Sequence, residues 1–230
     1  EALLGRVAWS LTSAGECQPL GAEERSAIER RVEDWALVGL RVLALGRTRP
    51  GAVTLEEATR LDRDALIARS ERDLVLVGLV AIADPPRPEA NLAIDKARHA
   101  GVRTIMITGD HPLTGEAIAR ELGILNDEGD VVTGPALDTL SEAELSSRVE
   151  SIRVVARATA ANKLALIQAL RGRGHVVAMT GDGVNDAPAI KAADIGVAMG
   201  RGGTDVTREA ADIVLLDDNF RSIVRAIGEG

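Results

Sequence analysis

The spacing of apolar residues changes character partway along this chain. From about Val75 onward, short β-branched and aliphatic runs alternate with helix-like segments, the pattern of a parallel sheet covered by helices. The runs are Leu74 to Ala83, Val102 to Ile107, Val154 to Ala156, Val176 to Met179, Ile195 to Ala198 and Ile213 to Leu216. Each is close to wholly apolar, as a strand covered on both faces should be. Helix signals fill the intervals. Pro88 stands near a start and Gly101 past an end, and Pro112 opens a segment closed by Gly123. Ser141 with Glu144 reads as a capping box, and Gly172 closes the stretch Ala161 to Arg171. No tandem repeat or low-complexity tract interrupts the pattern.

The first 73 residues follow another plan. Ile28, Val32, Trp35 and Ala36 share one face of a helix, Gly39 stops it, and Leu40 to Leu45 reads as a strand. Arg47 to Asp73 is charged and either loop-like or helical. The prolines of Asp84-Pro85-Pro86-Arg87 stiffen the chain just beyond a strand, which places a boundary there, although the same prolines can simply end the strand. The expected division is residues 1–83 and residues 84–230.

Composition narrows the possible functions. At 230 residues, with 46% apolar and 27% charged positions, the chain has enough material for a folded core and no long disordered tail. Its 27 basic against 35 acidic residues, net −8, argue against a nucleic-acid or anionic-membrane surface. Trp9, Trp35 and Phe220 are the only aromatics, too few to stack single-stranded bases. Leu74 to Ala83 is about half the length of a bilayer-spanning helix. The single cysteine, Cys17, rules out an internal disulfide framework and any multi-cysteine zinc site.

Ligands of parallel sheets gather at the carboxyl ends of strands, so the residues after each run carry the chemical interest. Val102 to Ile107 leads into Thr108-Gly109-Asp110 and a helix opening near Pro112. A hydroxyl, an open glycine and a helix N-terminus can seat a phosphate, though Gly-Asp after a strand is also an ordinary turn. Val176 to Met179 leads into Thr180-Gly181-Asp182-Gly183-Val184-Asn185-Asp186-Ala187-Pro188. Two carboxylates, an amide and two glycines in one strand-end loop suit a hard cation such as magnesium, with Asp182 the stronger ligand candidate. Asp186 and Asn185 can instead cap the following helix. Lys163 opens a helix soon after the Val154 run and can meet a transferring phosphoryl group as a point charge, or be a plain surface lysine. Arg157, at the end of that run, is either a ribose or phosphate contact or a solvated arginine.

In combination these segments are far more specific. Thr108-Gly109, Lys163 and Asp182, in that order on successive strand ends, resemble the later elements of the phosphoryl-transfer site of the haloacid dehalogenase superfamily. DPPRPEA at 84–90, MITGD at 106–110, TGDGVNDAPAIKAADIGVAMG at 180–200 and TDVTREAADIVLLDDNF at 204–220 are similar to the phosphorylation domain of P-type cation-transporting ATPases. GLRVLALGR at 39–47 is similar to the end of that family's nucleotide-binding domain. The resemblance implies an α/β fold: a Rossmann-like parallel sheet of haloacid dehalogenase type, lacking its first, nucleophile-bearing strand, with a partial nucleotide-binding subdomain ahead of it. It implies that Asp182 ligands magnesium, that Lys163 contacts the transferring phosphoryl group, and that Thr108, Gly109, Asp110 and Asn185 line the phosphate and metal region. Arg41 and Arg157 would touch nucleotide, and Asp186 would hold the loop and reach the metal through a water. Lys191 and the Ala-Met-Gly at 198–200 favour the calcium, sodium/potassium and proton pumps over heavy-metal pumps, and Asp84-Pro85-Pro86-Arg87 leans toward the calcium or sodium/potassium type.

The departures carry weight too. The family's phosphate-accepting aspartate lies in a DKTGT run, and this sequence has none. Asp62-Arg63-Asp64 follows a charged segment rather than an apolar strand, and Leu215-Leu216-Asp217-Asp218 falls after the magnesium loop, in the wrong order. Ala160 stands where the family usually has proline and Gly115 where alanine is common. The expectation is therefore a piece of an ATP-driven cation pump, inactive in isolation, with ATP and magnesium as substrate and cofactor. Its further partners would be the transported cation, through membrane helices outside this chain, and the upstream and membrane portions of the parent. The parent would place it on the cytoplasmic face of a membrane, the piece itself being soluble. The rival expectations are a soluble phosphatase of the same superfamily and a non-catalytic nucleotide- or magnesium-binding module.

Overall fold

A computed structural model describes residues 3–229. The chain divides into two compact units, Glu1–Asp84 and Pro85–Gly230.

The first unit contains β1 (Val7–Leu11), β2 (Cys17–Pro19), α1 (Ala22–Leu37), β3 (Arg41–Arg47), α2 (Leu55–Arg60), α3 (Arg63–Ser70) and β4 (Leu74–Ile82). The four strands form one mixed sheet in the order β2-β1-β4-β3. The helix anticipated around Ile28 to Ala36 is α1, and Ile28 and Val32 pack on a core of Leu4, Val7, Leu74 and Leu76. Gly39, at φ 79°, lets the Leu40 amide reach back to the Trp35 carbonyl at 3.0 Å and the Gly39 amide to that of Ala36 at 3.0 Å, a Schellman closure. The Leu74 run corrects the sequence reading. It is not the first strand of the parallel layer but the centre of this mixed sheet, parallel to β1 and antiparallel to β3. Its apolar length reflects two flanking strands rather than two covering helix layers, and only Leu74, Val75 and Leu76 are buried. Neither β1 nor β2 was anticipated, because Val7-Ala8-Trp9-Ser10-Leu11 is short and interrupted by a serine.

The second unit runs through α4 (Pro88–His99), β5 (Met106–Ile107), α5 (Pro112–Glu121), β6 (Asp130–Thr133), α6 (Gly134–Leu137), α7 (Glu142–Arg148), β7 (Ile152–Ala156), α8 (Ala160–Gly172), β8 (Ala178–Gly181), α9 (Ala187–Ala192), β9 (Ile195–Met199), α10 (Asp205–Ala210), β10 (Ile213–Leu215) and α11 (Phe220–Glu229). All its ladders are parallel, but they form two three-stranded sheets, β5-β7-β6 and β10-β9-β8. Helix α8 joins them: Leu166 and Leu170 pack with Val155 and Ile152 of β7, while Ile167 packs with Met179 of β8, and Ile107 of β5 lies against both clusters. Of the run Val102 to Ile107 only Met106 and Ile107 form ladder bonds, with Val154 and Val155. The strand β6 was not anticipated, its apolar centre being just Val131 and Val132.

Helix boundaries follow local chemistry. Proline opens α4 and α5, and Ser141 with Glu144 forms the expected capping box of α7. Thr159 with Asn162 forms a second box at the start of α8. Gly172 is the last helical residue there, and the left-handed turn falls to Gly174, at φ 88°.

Candidate functional site

Three loops at the carboxyl ends of β5, β7 and β8 are joined by a continuous series of hydrogen bonds. The Thr108 amide donates to the Val155 carbonyl at 2.9 Å, and the Thr108 carbonyl accepts from the Ala158 amide at 3.0 Å. The Arg157 amide donates to the Asp110 carbonyl at 3.1 Å, with Arg157 held in the left-handed region at φ 50°. One residue beyond Ala158, Thr159 caps α8: its hydroxyl accepts from the Asn162 amide at 3.3 Å, while Asn162 Oδ1 accepts the Thr159 amide at 2.9 Å. That box fixes the first turn of α8 and with it Lys163, whose ammonium forms an ion pair with Asp186 Oδ1 in the third loop. Asp186 Oδ2 in turn accepts the amides of Asp182 at 3.2 Å and Gly183 at 3.0 Å. The first, second and third loops thus form one bonded unit.

Burial separates the roles of the charged groups. The Lys163 and Asp186 side chains retain 17% and 9% of their exposure, so this ion pair is largely withdrawn from water. Removing one partner would strand the other. Gly181 makes the arrangement possible, since a Cβ there would lie 2.5 Å from Asp186 Cβ. Asp186 is the N-cap of α9, yet its carboxylate folds back onto the Asp182-Gly183 amides instead of capping the helix. Asp182 is exposed, and among the described residues nothing bonds its carboxylate. Asn185 is exposed on the 3-10 turn Val184–Asp186, and Gly109 is exposed with open space at its Cβ position. The Thr108 hydroxyl donates to Asp110 Oδ2 at 3.0 Å and accepts from the Asp110 amide at 3.1 Å, which shapes this loop as a tight hydroxyl turn.

Among the described residues no three His, Cys, Asp or Glu side chains converge as a metal cage. One unengaged carboxylate at a strand end does fit magnesium, which takes one or two protein carboxylates and completes its shell with water and phosphate oxygens. By that chemistry Asp182 suits the ion, while both Asp186 oxygens are committed to Lys163 and the loop amides.

The acids set aside from sequence are structural here. Asp62 caps α3 through the Ala65 amide at 2.8 Å. Asp217 accepts from Ser222 Oγ at 2.7 Å and the Asn219 amide at 3.2 Å, and the Ser222 bond leads in lowering its pKa. Asp218, at φ 52°, gathers the amides of Gly200, Arg201 and Gly202 at 2.7, 2.9 and 2.7 Å, which hold its carboxyl below the usual range, the Arg201 bond foremost. The Lys163–Asp186 pair and the capping role of Asn162 escaped the sequence reading. The Thr159-x-x-Asn162 spacing was the available signal for the second.

Arg41 belongs to the first unit, at the start of β3. Its register partner is Ile82, and Leu43 stands opposite Val80. Arg41, Leu43, Leu45, Val80 and Ile82 are all exposed, an open apolar face with a guanidinium at one end.

Residues 17–194 match the haloacid dehalogenase-like hydrolase family, to which the chain belongs. The chain is also 45% identical over 216 residues to a calcium-transporting ATPase of Listeria monocytogenes, covering 94% of this chain and 23% of that protein. It is 45% identical over 232 residues to a cation-transporting ATPase of Synechocystis, covering 100% of this chain and 24% of the relative. Against a calcium-transporting ATPase of Bacillus subtilis it is 54% identical over 162 residues, or 70% of this chain and 18% of the relative. The P-type ATPase resemblance read from the motifs agrees with these names, and the chain spans about a quarter of the length of such relatives.

Proposed function

We propose that this chain is the part of an ATP-driven, P-type cation pump that binds and polarises the phosphoryl group during formation and hydrolysis of an aspartyl phosphate. The single observation that supports this most is the bonded unit of three strand-end loops, with Lys163 paired to Asp186 and an exposed Asp182 carboxylate that nothing bonds among the described residues. In this reading residues 1–83 are the end of the nucleotide-binding domain and residues 84–230 the phosphorylation domain. The relatives' names favour calcium as the transported ion.

The phosphate-accepting aspartate is supplied by a segment carrying DKTGT, outside the sequence described. Its carboxylate attacks the γ-phosphorus of ATP, the bond to the bridging oxygen breaks, and ADP leaves. In a loose phosphoryl-transfer transition state, charge spreads over the equatorial oxygens. Lys163 presents a cation to those oxygens, and Thr108, Gly109 and Asp110 line the same region, with the Gly109 amide as the backbone donor not engaged among the described residues and the Thr108 hydroxyl able to donate on turning away from Asp110. Asp182 is the carboxylate available to magnesium, which when bound would neutralise phosphate charge. Asp186 braces the loop and holds Lys163 in place, and Asn185 lies at the loop's outer edge. Arg41, beside the apolar patch of Leu43 and Val80 on the first unit, suits a nucleotide with an apolar base and an anionic tail. Arg157, on the second unit, by itself suits a ribose or phosphate contact.

Joining this chain to an upstream segment bearing DKTGT should allow radiolabel from the ATP γ-phosphate to be trapped as a hydroxylamine-sensitive phosphoenzyme, which Asp182→Asn or Lys163→Ala reduces at least 100-fold. The chain by itself should trap none, since covalent catalysis needs its nucleophile. Turnover of p-nitrophenyl phosphate by the chain alone, lost in Asp62→Asn or Asp217→Asn, would instead establish a self-contained phosphatase.

A further inference from the structure

Asp182 is pinned through its backbone on both sides. Its amide goes to Asp186, and its carbonyl accepts from the Thr204 amide at 3.0 Å and from Thr207 Oγ1 at 3.3 Å. The same Thr207 hydroxyl reaches the Gly183 carbonyl at 3.2 Å, and that carbonyl also accepts the Asp186 amide at 2.8 Å. Thr207 lies on α10 and is 0% exposed, and Thr204 caps α10 by accepting the Thr207 amide at 3.3 Å. The two hydroxyls are themselves hydrogen-bonded.

The carbonyls of Asp182 and Gly183 can only accept, and each also receives a backbone amide, from Thr204 and Asp186 respectively. With the Thr207 proton shared between the two carbonyls, the Thr204 hydroxyl donates to Thr207 Oγ1 while its lone pairs receive the Thr207 amide, and every group is satisfied, as a fully buried hydroxyl requires. The loop is also held closely from behind: a Cβ on Gly203 would lie 2.0 Å from the Met199 carbonyl oxygen, so the turn leading into Thr204 has no room to shift.

We infer that Thr207 is a positioning residue for the Asp182 loop: its buried hydroxyl, bonded to the carbonyls of Asp182 and Gly183, fixes the direction in which the Asp182 carboxylate leaves the backbone and thereby sets the loop's affinity for a divalent cation. The cation part rests on the proposed role of Asp182, whereas the loop-fixing part does not. Groups behind a metal ligand that hold its orientation typically change metal affinity about 10- to 100-fold when removed.

The test uses the full chain and its Thr207→Val and Thr207→Ser variants. Magnesium chloride is titrated against the amide resonances of Asp182 and Gly183, and amide hydrogen exchange is followed at Asp182, Gly183 and Thr204. Valine keeps the volume and loses the hydroxyl, whereas serine keeps the hydroxyl and loses the methyl. Thr207→Val should raise exchange at those three amides about tenfold or more, leave Val155 and Ile167 unchanged, and weaken magnesium binding about tenfold. Thr207→Ser should restore both. Wild-type exchange and affinity in Thr207→Val, or a Thr207→Ser variant that behaves like it, would overturn the inference. If the wild-type loop shows no response to magnesium, the proposed role of Asp182 fails together with the cation part, and exchange still decides whether Thr207 holds the loop. Should Thr207→Val raise exchange everywhere, Thr207→Ala, which puts no methyl against the carbonyls, is read at the same amides by the same criteria.

Discussion

Lys163 and Asp182 both bond to Asp186, one through its ammonium and the other through its backbone amide, but contribute unequally to stability. Lys163 is paired inside the protein with Asp186, and its loss leaves a carboxylate that is mostly shielded from water without a counter-charge. Asp182 carries a carboxylate that no described residue hydrogen-bonds or pairs with. Urea unfolding should therefore show Lys163→Ala costing about 3 kcal/mol, the scale for breaking a buried pair. Asp182→Asn should stay within about 0.5 kcal/mol, as for an unengaged surface position. Equal losses in the two variants would contradict this division of roles. Both residues were legible in the sequence because each comes soon after an apolar run, Lys163 at the opening of the next helix and Asp182 within a long motif. Their connection through Asp186 was not, since Lys163 and Asp186 are 23 positions apart and only the packing of α8 against α9 brings them together.

At the scale of elements, the amino ends of the strands have a clasp of their own, opposite the phosphate loops. Glu150 lies just before β7, Arg103 before β5, and Arg173 and His175 between α8 and β8. Glu150 Oε1 meets His175 Nε2 at 2.7 Å and Arg173 Nε at 3.1 Å, and Oε2 meets Arg103 Nη1 at 2.8 Å. One carboxylate therefore ties both parallel sheets. The hydrogen bond with His175 first, then Arg173 and the Arg103 charge, lower the Glu150 pKa from 4.5 to about 2. A carboxyl whose folded pKa is depressed favours the fold once it is ionised. Its stabilisation is thus complete above about 4.5, the unfolded value, and is lost as pH falls toward about 2. The urea midpoint should fall with acidification across that window in the wild type and fall less in Glu150→Gln; identical slopes would remove Glu150 from the account. Sequence patterning located β7, β8, β9 and β10 because their apolar centres are contiguous. It overextended β5, where Arg103 is drawn to Glu150 and only Met106 and Ile107 find ladder partners.

On the scale of the whole molecule, the described residues of the second unit form two short parallel sheets where a single one was expected, and so present four edge strands, β5, β6, β8 and β10. Unpaired edges invite pairing with other chains, and the bridge between β5 and β8 is the apolar face of α8, not a hydrogen-bonded strand. The chain in isolation should self-associate as its concentration rises or melt at modest temperature. Sedimentation and calorimetry showing a monomer that melts reversibly and cooperatively above about 60 °C would count against this. Sequence by itself determined the α/β class, the proline starts of α4 and α5, the capping box of α7, and the acids and lysine of the phosphate loops, because these depend on local periodicity, local hydrogen bonding and contiguous motifs. Tertiary structure alone decided that Leu74 to Ile82 serves the first unit's sheet, that Asp186 rather than solvent answers Lys163, and that Thr207 stands behind Asp182. Each of these depends on which distant surfaces pack together, and that is set by the burial of whole elements rather than by the order of neighbouring residues.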